Sequence, residues 1–261
     1  MQIKDKTATE CKDSQKDSPL VIQDYDEMPP FFMSLISRDN LWAFISSRGS
    51  LTAGRESAEK SIFPYVTVDK IHDSYGTTGP RTMIRIQDNK LWEPFTPHTV
   101  KEPDIERNLS KGVLGNSICF EEMRVRDGLS FKYRWQPGGR FGLTRTACIE
   151  NCSNQTVKLD VLDGIANILP PGLDSRMQAN SSVLTDAYKQ SELQSNSRMA
   201  LYSTASGITD RPEPMENLRA NCVWSSGLDE AAVTLATKLP DAMIQAKAID
   251  PCVLNLSLIH I

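Results

Sequence analysis

Between Ser117 and Leu169 the side chains alternate in character with a period of two, and no other feature limits the possible folds as strongly. "SICFEEMRVRDG" alternates and ends in Asp127-Gly128, a dipeptide that favours a tight hairpin. In "LSFKYRW", Leu129, Phe131, Tyr133 and Trp135 share one face, while Ser130, Lys132 and Arg134 share the other. "QPGGR" turns the chain, and "FGLTRTACIEN" runs back with Phe141, Leu143, Thr144, Thr146 and Ile149 as strand formers. After Asn151–Asn154, "TVKLDVLDGI" alternates again, with Val157, Leu159 and Val161 on one side. The pattern predicts an antiparallel meander with one buried and one wetted face.

Shorter runs upstream, "FFMSLIS", "LWAFISS", "YVTVDKI", "TMIRIQD" and "KLWEPF", are rich in aromatic and β-branched residues and broken by Gly, Pro, Asn or Asp. They read as further strands. "ANSSVLTDAYKQSELQ" departs from this pattern: Val183, Leu184, Ala187, Tyr188 and Leu193 fall near helical spacing, with Asn180 or Ser181 suited to cap one short helix. "MALYSTAS" and "RANCVWSSG" return to strand, and the closing "EAAVTLATKLPDAMIQAKA" favours helix but is interrupted by Pro240. The expected fold is mainly β, a sandwich of many strands with one or two short helices. Residues 1–26 are expected to form a solvated tail, 27–250 the β domain, and 256–261 ("LSLIHI") a non-native tail resembling a translated sequencing adapter.

Composition excludes several classes. The net charge of −4 carries no polybasic signature for nucleic acid, and no apolar run reaches the length of a membrane-spanning helix. Cys11, Cys119, Cys148, Cys152, Cys222 and Cys252 form no CxxC pair, and His72, His98 and His260 are scattered, so no metal site is expected. Unpaired thiols and the absence of an N-terminal apolar segment point to the cytoplasm.

"GSLTAGRES" raises the question of a phosphate-cradling loop, because Gly49 and Gly54 stand five apart. The match to G-x-x-x-x-G-K-[ST] fails: Arg55 replaces the lysine, Glu56 replaces the magnesium-binding hydroxyl, and Pro64 cuts short any following helix. The simpler expectation is that both glycines supply positive φ in a tight strand connection.

The ordered strings "FISSRGSLTAGRESAEKSIFPYVTVDKI", "GTTGPRTMIRI", "LWEPF", "RNLSKGVLGNSICFEE", "FKYRW", "FGLTRTACIENCS", "LDVLDGIANILPPGL" and "VLTDAYKQSEL" resemble the N-terminal region of large bacterial proteins related to the cellobiose-phosphorylase group of inverting glycoside phosphorylases. The resemblance runs from about Glu27 to Asp241. It implies a galactose-mutarotase-like β-supersandwich, followed in that family by a helical linker and a helical barrel that carries the catalytic acid. It implies action on a β-glucoside or β-glucan, with inorganic phosphate as co-substrate and no other cofactor, and a possible homodimer. Phosphorolysis needs a single acid, because phosphate is already an anionic nucleophile; inverting hydrolysis needs two carboxylates. No catalytic residue is therefore assigned here. Asp160, Asp163 and Asp186 read as turn or solvated carboxylates.

In such dimers the loops of the sandwich help to wall the reaction centre. The candidates for substrate or interface contact are Arg48, Arg55, Tyr65, Asp69 and Lys70, with Trp92 as the best exposed tryptophan for stacking on a sugar. Arginine offers a planar fork for hydroxyls and anions, tyrosine a ring with a hydroxyl, and aspartate an acceptor. Trp135, in phase with Phe131 and Tyr133, reads as core. The competing expectation is a non-catalytic carbohydrate-binding or dimerisation module.

Overall fold

The computed structural model describes residues 18–87, 90–97, 102–173, 175–208, 217–228 and 231–245. Most of the expected N-terminal tail, the 256–261 tail, Cys11, His98, Cys252 and His260 lie outside the described residues. The chain is mainly β, with several antiparallel sheets and three short α-helices among the described residues. The chain divides into two compact units. The first holds described residues 18–51 and 66–166, and the second holds 52–65 and 167–245.

The first unit contains β1 (Leu20–Gln23), β2 (Phe32–Leu35) and β3 (Leu41–Ser46). The chain leaves it in β4 (Leu51–Arg55), passes through β5 (Ser61–Phe63), and returns for β6 (Gly79–Ile86), β7 (Lys90–Trp92), β8 (Ile105–Lys111), β9 (Ile118–Arg124), β10 (Leu129–Gly138), β11 (Gly142–Asn151) and β12 (Leu159–Ala166). Its five-stranded sheet has the order β1-β8-β9-β10-β11, and β9, β10 and β11 are the first three strands of the expected meander. Gly128, at φ 61°, closes the β9–β10 hairpin with its N–H on the Val125 carbonyl at 3.3 Å. This is the hairpin that Asp127-Gly128 predicts. Leu129, Phe131, Tyr133 and Trp135 are all buried, as their shared phase requires. β1 extends this sheet by pairing with β8, Val21 opposite Ser110, so the end of the expected tail is an edge strand.

The apolar face of the meander builds an aromatic core. Phe120 stacks on Tyr133 at 5.0 Å, while Phe95 meets Tyr133 edge-on at 5.3 Å and Trp92 meets Phe131 edge-on at 6.5 Å. Such pairs each add about 0.5–1.5 kcal/mol beyond burial. One carboxylate shares this core. Glu122 lies in phase with Ile118 and Phe120 on β9 and is fully buried. It accepts hydrogen bonds from Trp92 Nε1 at 2.6 Å, the Phe95 N–H at 2.6 Å and Arg107 Nε at 2.9 Å. Arg107, also buried, donates further to the Thr96 carbonyl at 2.8 Å and to Asp26 at 3.4 Å. A buried charge is tolerable only when paired and hydrogen-bonded in this way.

Two strand expectations fail here. "TVKLDVLDGI" does not continue the meander: β12 pairs with β6 in a separate sheet ordered β12-β6-β7, and Val161 is exposed. Alternation fixes which residues share a face, but not which strand lies alongside. "YVTVDKI" is not a strand. Pro64 precedes it, and the Thr67 carbonyl takes the Lys70 N–H at 2.9 Å, folding Val68–Lys70 into a turn. Asp69 and Lys70 therefore sit in that turn and do not face opposite sides of a sheet. Gly49 does supply positive φ (90°), but Gly54 lies inside β4 beside an irregularity in its pairing with β5.

The second unit contains the β4–β5 pair, α1 (Ser175–Asn180), α2 (Ser182–Tyr188), β13 (Lys189–Gln194), β14 (Met199–Thr204), β15 (Asn221–Trp224) and α3 (Leu239–Ile244). β13, β14 and β15 form an antiparallel sheet in sequence order. The expected short helix is α2, and α1 precedes it. Ser181 stands at the N-cap of α2 without a side-chain capping bond, and Leu193 belongs to β13. Pro240 falls in the first turn of α3, where its missing N–H costs nothing.

Candidate functional site

Within the first unit, five segments converge on a cleft of about 360 Å³, counting the space open to solvent. Arg48 and Gly49 come from the β3–β4 turn, Tyr75 and Gly76 from the end of the 3-10 turn Ile71–Ser74, and Pro80, Arg81 and Thr82 from β6. Glu93, Pro94 and Phe95 follow β7, and Tyr133 reaches in from β10. The enclosed part of the cleft has room for little more than one water molecule. A larger ligand would lie across the mouth and send a single small group inward.

Each wall is fixed by its own local chemistry. The Arg48 turn is closed by Ser46 N–H on the Ser50 carbonyl and Gly49 N–H on the Ser46 carbonyl, both at 2.8 Å. Gly49 is required there: a Cβ at its position would come within 3.0 Å of the Tyr133 hydroxyl. Phe95 adopts φ 64°, unusual for a bulky residue and costing on the order of 1–3 kcal/mol. Its backbone bond to Glu122 and its packing on Tyr133 hold it in place, so the polar core shapes the cleft wall.

The cleft presents a distinct set of polar groups. Arg81 Nε donates to Glu93 Oε1 at 2.9 Å, which leaves the second carboxylate oxygen as an acceptor. Thr82 donates its hydroxyl proton to Asp163 Oδ1 at 2.5 Å. Arg145 holds that carboxylate with both arms, at 2.6 and 2.9 Å, and lies over the Tyr133 ring at 4.7 Å. Burial pushes the Tyr133 hydroxyl well above the ordinary tyrosine value, against the opposing pull of Arg145. Burial likewise raises the Tyr75 hydroxyl, opposed by a hydrogen bond with Thr96. Both tyrosines therefore stay protonated near neutrality and can act as neutral donors.

The lining thus combines an arginine fork, a carboxylate and hydroxyl groups with proline and aromatic side chains. Among the described residues Glu93 is the one carboxylate in the lining, and it is bound to Arg81. Among the described residues no group of three metal-ligating side chains is found.

Of the candidate contact residues Arg48, Arg55, Tyr65, Asp69, Lys70 and Trp92, Arg48 is the one that lines the cleft. Asp69 and Lys70 are exposed on the turn before Ile71, and a hydrogen bond from the Thr67 side chain draws the Asp69 carboxyl below its ordinary value. Arg55 and Tyr65 are exposed and belong to the second unit. Trp92 is not a surface platform: it is 2% exposed and its indole donates to Glu122. Trp135 is core, as its phase indicates. Asp163 is a paired carboxylate, Asp160 lies 3.8 Å from Arg85, and Asp186 pairs with Lys189 at 2.6 Å. Tyr75, Arg81, Thr82 and Glu93 were not legible as a group. The available signal was the clustering of Gly, Pro and Thr around them in "YGTTGPRT" and "WEPF", which marks close-set turns.

No protein-family model and no curated protein matches the chain. The fold and the cleft define its class no further than a mainly β protein with a small polar cleft on its meander-bearing unit. No helix among the described residues is long and apolar enough to cross a membrane.

Proposed function

We propose that the chain is a carbohydrate-associated β-sandwich domain of the galactose-mutarotase-like type, and that its cleft engages a β-glucoside or β-glucan. Bond cleavage with inorganic phosphate and inversion would be carried out by a helical barrel like that of the cellobiose-phosphorylase group. The observation that carries the reading is the convergence of Arg48, Glu93, Thr82, Tyr75 and Tyr133 on one cleft, since these groups match the alternating donors and acceptors of a sugar ring. The sequence resemblance supplies the choice of β-glucoside. The thiols of Cys119, Cys152 and Cys222, without a disulfide partner among the described residues, favour a reducing compartment, the cytoplasm.

The test is titration of the full chain with cellobiose, laminaribiose and sophorose, followed by NMR shifts of the cleft residues and by calorimetry. At least one disaccharide should bind with shifts centred on Arg48, Tyr75 and Tyr133. Arg48→Ala should weaken that binding by about tenfold or more, the usual consequence of losing a charge-assisted hydrogen bond. Binding of no disaccharide at millimolar concentration, or binding that leaves these residues undisturbed, refutes the proposal.

A further inference from the structure

The turn that carries Arg48 is tied to the turn Ile71–Ser74, and one of the ties can be reversed by a proton. Ser46 ends β3 and is fully buried. Its hydroxyl oxygen accepts the Arg48 N–H at 3.1 Å and lies 2.6 Å from Nδ1 of His72. The second tie is the Ser50 hydroxyl, which donates to the Ile71 carbonyl at 2.5 Å.

A serine hydroxyl has one proton and two acceptor positions. When the His72 ring is neutral with its proton on Nε2, Ser46 donates to Nδ1 and accepts from Arg48, and every group is satisfied. A proton added at Nδ1 makes the ring a donor as well. The proton of the buried Ser46 hydroxyl then has lost its acceptor. The new imidazolium also faces a guanidinium. The charged groups acting on His72 are Arg48, from the opposing turn, and Asp73, on its own turn.

We infer that His72 is a positioning residue for the cleft: through Ser46 it holds the Arg48 turn in place, and protonation of its ring releases that turn. Burial first, and Arg48 second, hold the His72 ring below the ordinary value of 6.5, with Asp73 opposing. The sign follows. The contribution to stability is complete above the unfolded-state value and is lost as pH falls through the lowered folded-state value. The consequence for binding rests on the saccharide reading of the cleft, whereas the coupling between the two turns does not.

The experiment follows the His72 ring and the Arg48 backbone amide by NMR in the ligand-free full chain between pH 8 and pH 5. The Arg48 amide should lose protection by about fivefold or more, with the midpoint of His72. His72→Asn places an acceptor that does not titrate near the Nδ1 position, and should keep the amide protected throughout. Ser46→Ala should expose it at every pH. An Arg48 amide indifferent to His72 protonation overturns the inference, as does His72→Asn following the wild-type course. Cellobiose titration then separates the two readings. Binding at pH 8 that weakens about fivefold or more at pH 5 in the wild type, but not in His72→Asn, supports the inference. Equal binding at both pH values overturns it. A coupled amide with no cellobiose binding at either pH supports the positioning role and removes the saccharide reading alone.

Discussion

Replacing Glu122 should damage the first unit out of proportion to its size, and the loss can be worked out from its partners. The side chain satisfies three donors, Trp92 Nε1, the Phe95 N–H and Arg107 Nε, in a site without solvent access. Glu122→Ala leaves the first two unpaired and leaves Arg107 with only the Thr96 carbonyl and the longer contact to Asp26. Breaking a buried ion pair by removing one partner costs about 3–5 kcal/mol. A fold of this size loses roughly 2–4 °C of melting temperature per kcal/mol, so Tm should fall by about 6–20 °C. Glu122→Gln keeps one carbonyl acceptor but turns an NH2 group toward a donor, and should cost about 1–3 kcal/mol. Arg107→Leu combined with Glu122→Leu removes the stranded charge and should be less damaging than Glu122→Ala, although the Trp92 and Phe95 donors still lack an acceptor. The neighbouring Glu121 projects to the opposite, half-exposed face, so Glu121→Ala should stay within about 0.5 kcal/mol of wild type. Urea unfolding followed by far-UV circular dichroism measures all four variants. If the two units melt separately, the loss belongs to the transition of the first. Glu122→Ala within 1 kcal/mol of wild type, or no worse than Glu121→Ala, would refute the reasoning.

Two further outcomes follow from single positions. Gly49→Ala must adopt φ 90° and push its methyl to 3.0 Å from the Tyr133 hydroxyl; it should cost about 1–2 kcal/mol in urea unfolding, and wild-type stability would contradict the turn geometry. Burial raises the Cys119 thiol above its ordinary value, with Arg134 opposing, while Cys152 and Cys222 are exposed. A thiol-specific reagent at pH 8 should therefore modify Cys152 and Cys222 well before Cys119, as read by peptide mass spectrometry.

The meander was legible because it is written in local terms. Period-two alternation, an Asp-Gly turn and β-branched side chains each act over a few residues, so Leu129 to Trp135 show their buried face without any knowledge of what covers it. The same phase places Glu122 beside Ile118 and Phe120, and a carboxylate in that register is itself a sign of a buried pair. Its partner Arg107 carries no comparable mark. Alternation failed where turn chemistry took over, at Val66–Lys70, and where it had to name a partner strand, at β12.

The sequence by itself determined the fold class, the β9–β10 hairpin and the burial of Trp135. Only the tertiary structure decided that Arg48 stands with Tyr75, Arg81, Thr82 and Glu93 in one cleft, that Trp92 is core, and that Ser46 meets His72. The physical reason is range. A strand's facing depends on its own few residues. A site drawn from five separated segments depends on packing and register among all of them, and each of those is settled only when the sheets close.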